Sequence, residues 1–127
     1  MKEYNVSLNL VTDFSVKEEH LLNFFENKDL LLSHKKIDSG VLWIIEPFLK
    51  KDDSVTDQII SISELILPNL LEKHKDIFKR IYIDIAVFYD TYVCSVNFTG
   101  ECLRYISGIY PETDIEITCY PTDNFEA

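Results

Sequence analysis

Polar and apolar residues alternate with a period of two from Ile81 to Gly100, IYIDIAVFYDTYVCSVNFTG. Ile81, Ile83, Ile85 and Val87 share one side, and Tyr82, Asp84 and Ala86 the other. After Tyr89-Asp90-Thr91 the alternation resumes, with Tyr92, Cys94, Val96 and Phe98 against Val93, Ser95 and Asn97. Two β-branched and aromatic runs joined by a short polar turn predict a β-hairpin, around which the remaining elements would be arranged.

The same pattern reading gives the other elements. Tyr4, Val6, Leu8 and Leu10 alternate with Asn5, Ser7 and Asn9, which predicts a half-buried first strand. Ser15-Val16-Lys17-Glu18 has the spacing of a capping box, opening a helix that buries Leu21, Phe24 and Phe25 and ends near Asn27-Lys28. Leu30 to Leu32 reads as a short apolar turn or strand, and His34 to Gly40 as a polar loop. Val41-Leu42-Trp43-Ile44-Ile45 is apolar on both faces, as an interior strand is, and stops at Pro47.

Ser54 is placed to cap a second helix with the stripe Val55, Ile59, Ile62 and Ile66, kinked or restarted at Pro68. Leu70, Leu71, Ile77 and Phe78 carry a broken helical segment to about Arg80. Thr99 can cap a last helix with Leu103, Ile106 and Tyr110 inward, ended by Pro111. Asp114 to Tyr120 alternates again, with Ile115, Ile117 and Cys119 predicted inward.

The resulting order is β-α-β-α-β-β-α-β over a single domain, residues 1–127. This is an α+β fold, a mixed sheet with parallel crossovers and helices packed on one face, Trp43 lying on an interior strand. The other face would be open. Its outward residues are Asn5, Ser7, Asn9, Tyr82, Asp84, Ser95, Asn97, Glu116, Thr118 and Tyr120, which suit either a docking platform or a merely wet sheet face.

Charge changes that picture. The formal net charge is −10, which opposes phosphate contacts and an anionic membrane surface but suits a basic protein partner. Up to Arg80 there are 14 acids against 11 Lys and Arg, whereas from Ile81 onward there are 8 against Arg104 alone. The excess therefore gathers in the last third, where acids alternate with tyrosines. Asp84, Asp90, Glu112, Asp114, Glu116, Tyr120 and Asp123 form the expected partner-binding set, since carboxylates pair with Lys and Arg while Tyr adds rigid contact area.

Other chemistry finds little support in the residues. Cys94, Cys102 and Cys119 lack paired spacing and a nearby His, so no metal site is expected, and Cys94 and Cys119, at inward strand positions, read as core thiols. His20, His34 and His74 sit in separate segments, and Ser61 and Ser63 lack elbow glycines, so no catalytic group and no cofactor is expected. The N-terminal stretch has no long apolar core of an export signal, and the apolar window Ile59 to Leu71 is too short and interrupted to span a bilayer. With unpaired cysteines, the expected compartment is the cytoplasm.

Gly40-Val41-Leu42-Trp43 and the run from Leu103 to Tyr120 resemble the bacterial family called domain of unknown function forty-two seventy-nine. That family has a Gly-x-x-Trp-type strand after its first helix and a closing Leu-rich helix leading to an Asp-Ile-x-Ile-x-x-Tyr-like strand. The family often has a Pro and a basic-Gly pair before the Trp strand, where this chain reads LLLSHKKIDSG. The resemblance implies an α+β fold and no established chemistry. In size and acidity the chain also resembles immunity proteins of bacterial toxin systems. The expectation is an acidic module that occludes a co-encoded basic toxin, with a stand-alone domain or a small-molecule-binding domain as the alternative.

Overall fold

A computed structural model describes residues 2–25, 30–47, 54–66, 70–89 and 96–121. The fold is α+β. One mixed sheet of five strands carries β1 (Lys2–Thr12), β2 (Leu30–Ile37), β3 (Gly40–Pro47), β4 (Phe78–Tyr89) and β5 (Asp114–Pro121), in the spatial order β2-β3-β1-β4-β5. Between them lie α1 (Glu18–Leu22), α2 (Val55–Leu65), α3 (Leu70–Lys73) with a 3-10 turn at Lys75–Ile77, and α4 (Gly100–Ile109). The β1–β3, β1–β4 and β2–β3 pairs are antiparallel, and β4–β5 is parallel across α4.

Alternation makes the sheet two-faced. Val6, Leu8 and Leu10 of β1, Val41, Trp43 and Ile45 of β3, and Ile81, Ile83, Ile85 and Val87 of β4 all enter one apolar cluster. Leu21 of α1, Val55, Ile59, Ile62 and Leu65 of α2, Leu71 of α3 and Cys102, Ile106 and Ile109 of α4 close it from the helical side. The described helices thus cover one face, as the strand patterns require, and Trp43 lies on an interior strand.

Two caps form as their residues dictate. The Ser54 side chain accepts from the Asp57 N–H at 3.1 Å, and the Thr99 side chain from the Cys102 N–H at 3.1 Å, each satisfying a helix donor at a gain of about 1 kcal/mol. The expected capping box at Ser15 does not form. Ser15 donates to the Asp13 carboxylate instead, and α1 begins at Glu18 behind an uncapped Lys17. Asp13 Oδ1 also accepts from the Ser15 N–H at 2.9 Å, a local turn that needs no helical backbone around it and holds Ser15 outside the helix.

The order differs from the expected one in three places. His34 to Gly40 is no loop: β2 runs through Ile37, and a two-residue turn at Asp38-Ser39 joins it to β3. The helical segment expected to reach Arg80 stops earlier, and β4 starts at Phe78, paired with Thr12 across an irregularity at Val11 and Thr12. The expected hairpin does not form on β4, and Tyr92 to Ser95 of its second strand lie outside the described residues. Over Tyr82 to Tyr89, β4 is flanked by β1 on one side and β5 on the other, leaving no edge for a partner. Val96 to Thr99 form no strand, and Val96 and Phe98 are half-buried against the core. The turn at Asp90 and Thr91 and the kink at Pro68 lie outside the described residues.

Burial also departs from the pattern at the C-terminal end. Leu103 is 48% exposed, and α4 turns Cys102 and Ile109 inward beside Ile106. Ile115, Ile117 and Cys119 face the helical side in register with Ile83, Ile85 and Val87, yet all eight residues of β5 are exposed. An edge strand has a neighbour on one side only, and here the helices stop short of covering it.

Candidate protein interface

The inward run Ile81, Ile83, Ile85 and Val87 turns Arg80, Tyr82, Asp84, Ala86 and Phe88 to the face away from the helices. The parallel register with β5 sets Asp114 beside Tyr82, Glu116 beside Asp84, Thr118 beside Ala86 and Tyr120 beside Phe88. On the other flank β1 sets Asn9, Ser7 and Asn5 beside Tyr82, Asp84 and Ala86. Four of the sequence-selected residues, Asp84, Asp114, Glu116 and Tyr120, therefore share one face of two adjacent strands. Glu112 is exposed in the turn just before β5. Asp90 and Asp123 lie outside the described residues.

The acids on β5 are not bare. Arg80 donates from Nη2 to Glu116 Oε1 at 2.9 Å, and its Nε lies 3.6 Å from Asp114 Oδ2. Its guanidinium sits 4.2 Å from the centre of the Tyr82 ring. Exposed ion pairs of this kind contribute about 0–1 kcal/mol, so the contact orients the carboxylates rather than holding the sheet together. The sequence contained the signal for Arg80, because extending the alternation back from Tyr82 puts position 80 on the same face. It was obscured by the assignment of that segment to a helix.

Asp84 stands apart from this pairing. Partial burial pushes its carboxyl above the ordinary aspartate range, and the neighbouring Glu116 carboxylate adds to the shift. Burial raises the Tyr82 phenol, Glu116 adds to that, and Arg80 opposes it. Further along, the Phe88 and Tyr120 rings stack at 5.2 Å with 19° between their planes, an aromatic pair on an exposed rim.

Across the described strands this face carries Glu3, Glu46, Asp84, Asp114 and Glu116 against Lys35 and Arg80. It is acidic but not uniformly so. Where β4 begins, a cleft of about 380 Å³ is lined by Lys75, Lys79 and Arg80 together with Glu112, Asp114 and Tyr110. At its centre the face is less open than the pattern suggests. Ser7 and Asn9 are buried, and Asn9 donates to the Ser7 hydroxyl at 3.0 Å, short side chains on the middle strand of a row with Ile44 and Tyr82. Asn97 is not on this face; it lines a small cleft with Tyr4, Ser54, Val55 and Thr56.

The remaining candidate groups are dispersed. Cys102 is a buried core thiol whose pKa burial raises, whereas Cys119 is exposed rather than inward, and Cys94 lies outside the described residues. His20, His34 and His74 are exposed, His34 against Trp43 and His74 against Phe24. Among the described residues no group of His, Cys, Asp and Glu is disposed to hold a metal ion, and no helix is long and apolar enough to cross a membrane. The chain is matched by no family model, no curated protein and no solved structure.

Proposed function

We propose that the chain is an acidic protein-binding module, most concretely an immunity protein that neutralises a basic bacterial toxin by covering its active site. The observation that carries this reading is the juxtaposition of Asp84, Asp114, Glu116 and Tyr120 on the face of β4 and β5 turned away from the described helices. Carboxylates held in a row at strand spacing meet Lys and Arg of a partner, and the Phe88–Tyr120 stack offers a rigid apolar rim beside them. The resemblance to a bacterial family without established chemistry, and to immunity proteins in size and acidity, is compatible with the same role.

The experiment is a pull-down from the native organism followed by affinity measurement. A triple reversal of Glu112, Asp114 and Glu116 to Lys should weaken binding to the captured basic protein at least about tenfold, with association slowing as salt rises, because charge attraction is screened over about 8–10 Å near physiological ionic strength. A matched reversal of the exposed Glu18, Glu19 and Glu64 changes net charge equally and should matter far less. Equal losses from both triples reduce the effect to overall charge. Capture of no basic protein removes the immunity reading and leaves a stand-alone or small-molecule-binding domain.

A further inference from the structure

We propose that the cleft where β4 and β5 begin binds a small zwitterion: a molecule with an ammonium and a carboxylate on a short apolar body, as in an aliphatic amino acid or dipeptide. The proposal goes beyond the reading of the acidic face and needs no protein partner.

The cleft forms because two connections enter the sheet side by side. β4 follows the 3-10 turn at Lys75–Ile77, and β5 follows the turn that ends α4. The parallel register sets Tyr82 of β4 beside Asp114, the first residue of β5, so both turns lie at the same end of the sheet. The cleft there has a volume of about 380 Å³, within the range that small-ligand sites occupy. Part of its lining is apolar. Ile81 is a buried core residue, and Phe78 is half-buried with its ring packed edge-on against Phe24.

Charge divides the rest of the lining by element. The 3-10 turn and β4 bring Lys75, Lys79 and Arg80, whereas the α4–β5 turn and β5 bring Glu112 and Asp114. Tyr110, also in the lining, ends α4, whose last turn carries no basic residue against the negative pole of its carbonyls. One side of the cleft thus suits an anion and the other a cation.

Some of these charges are already engaged. Arg80 pairs with Glu116 and Asp114, and Lys79 donates to the Ser39 carbonyl. Lys75 and Glu112 are not. Among the described residues neither side chain has a hydrogen-bond or ion-pair partner, and they do not pair with each other. They come from opposite sides of the cleft. A simple anion entering at Lys75 would meet the carboxylates of the other side, and a simple cation at Glu112 would meet the ammonium groups. A zwitterion satisfies both, with its carboxylate at Lys75, its ammonium at Glu112 and its body against Phe78 and Ile81.

The test uses the full chain, nitrogen-15-labelled, titrated at pH 7 with leucine and with alanyl-leucine. The amide shifts of Phe78, Ile81 and Thr113 report occupancy. At least one of the two probes should bind with shifts confined to the surroundings of the cleft, and the better one gives the span that the site takes. Removing either charge of that probe, by N-acetylation or by amidation of its carboxyl group, should weaken binding about tenfold, the worth of one charge-assisted hydrogen bond. Lys75→Glu and Glu112→Lys, both at exposed positions, should each weaken it at least as much without lowering the Tm by more than a few degrees. The double variant keeps the natural net charge and exchanges the two ends, so it should recover most of the affinity with the probe turned round. Absence of binding by either probe up to about 10 mM, weaker than any useful site, overturns the proposal. So does equal binding of the capped forms, equal binding of inorganic phosphate, or a double variant as weak as the single ones. The pull-down above decides the reading of the acidic face separately from all of these outcomes.

Discussion

Gly40 is the residue on which the β2–β3 connection turns. Its φ is +154°, a region L side chains rarely adopt, and a Cβ built there would lie 1.9 Å from the Thr12 carbonyl oxygen of β1. The conformation and the close approach of the neighbouring strand both require glycine. Gly40→Ala should therefore cost at least about 3 kcal/mol in urea unfolding, since strain of about 1–3 kcal/mol is joined by a backbone clash. Gly108, with open space around its missing Cβ, lies inside α4; Gly108→Ala should instead stabilise by about 0.5–1 kcal/mol. Asp84 gives the second expectation at this scale. Its pKa is raised in the folded state by burial and then by Glu116, so the fold holds the proton more tightly than the unfolded chain does. Stability from this group is full below the ordinary value near 3.8 and is lost as pH rises through the higher folded value. Asp84→Asn should then raise the Tm at pH 7 and leave it nearly unchanged at pH 3. An equal gain at both pH values would mean that the amide makes a new contact rather than relieving a charge.

Among the elements, the join between α2 and β1 is the one no periodicity announces. The β1–β3 ladder covers only Leu8 to Thr12, and below it Gln58 of α2 takes over the backbone of β1. Its side-chain oxygen accepts from the Val6 N–H at 3.0 Å, and its amide donates to the Tyr4 carbonyl at 2.9 Å. Gln58→Leu keeps the volume but strands a buried donor and acceptor, so it should cost about 1–3 kcal/mol by denaturant midpoint, with faster exchange of the Val6 amide. A neutral result would show that β1 finds other partners. This join illustrates what the chain made legible and what it did not. β1, β4 and α2, with a strong apolar period, and β3, apolar on both faces, were readable because burial imposes those patterns, while β5 was readable from its alternation although all eight of its residues are exposed. β2 was readable only at Leu30 to Leu32, because an edge strand needs no buried face: only Leu30, Leu32 and Ile37 are half-buried, and pairing with β3 stabilises the rest. The expected pairing of a second hairpin strand with β4 failed for a different reason. Local alternation promised β4 a sequential neighbour, but β5, arriving in parallel after α4, occupies that edge, and sequence spacing does not reveal who takes an edge. The site was legible to the same degree. Alternation placed Asp84, Glu116 and Tyr120 on one face, and the β4–β5 register adds Asp114, while Arg80 and the exposure of Ile115 and Ile117 depend on where a helix ends and how far helices reach.

At the scale of the whole molecule, charge is the dominant property. A net charge of −10 on 127 residues, concentrated after Ile81, makes self-repulsion a standing cost of the compact state. Local pairing offsets little of it. The Arg80 pairs with Asp114 and Glu116 are largely solvent-exposed, and such pairs contribute about 0–1 kcal/mol. Salt should therefore act in the direction opposite to that in a protein held by surface ion pairs. Raising sodium chloride from about 0.05 to 0.5 M shortens the screening length from well above 10 Å to about 4 Å, which weakens repulsion between distant carboxylates more than it weakens contacts at 2.9 Å. The Tm at pH 7 should rise with salt, and the rise should shrink near pH 4.6, where the net charge vanishes. The charge-reversed Glu112, Asp114 and Glu116 triple, six units less negative, should show a smaller salt response than the natural chain. The same salt should slow association with a basic partner. Stability rising with salt while association falls is the joint signature of an acidic surface kept for binding at the expense of folding. A Tm that falls with salt would instead assign these carboxylates to internal ion pairing and leave the partner-binding reading without its electrostatic basis.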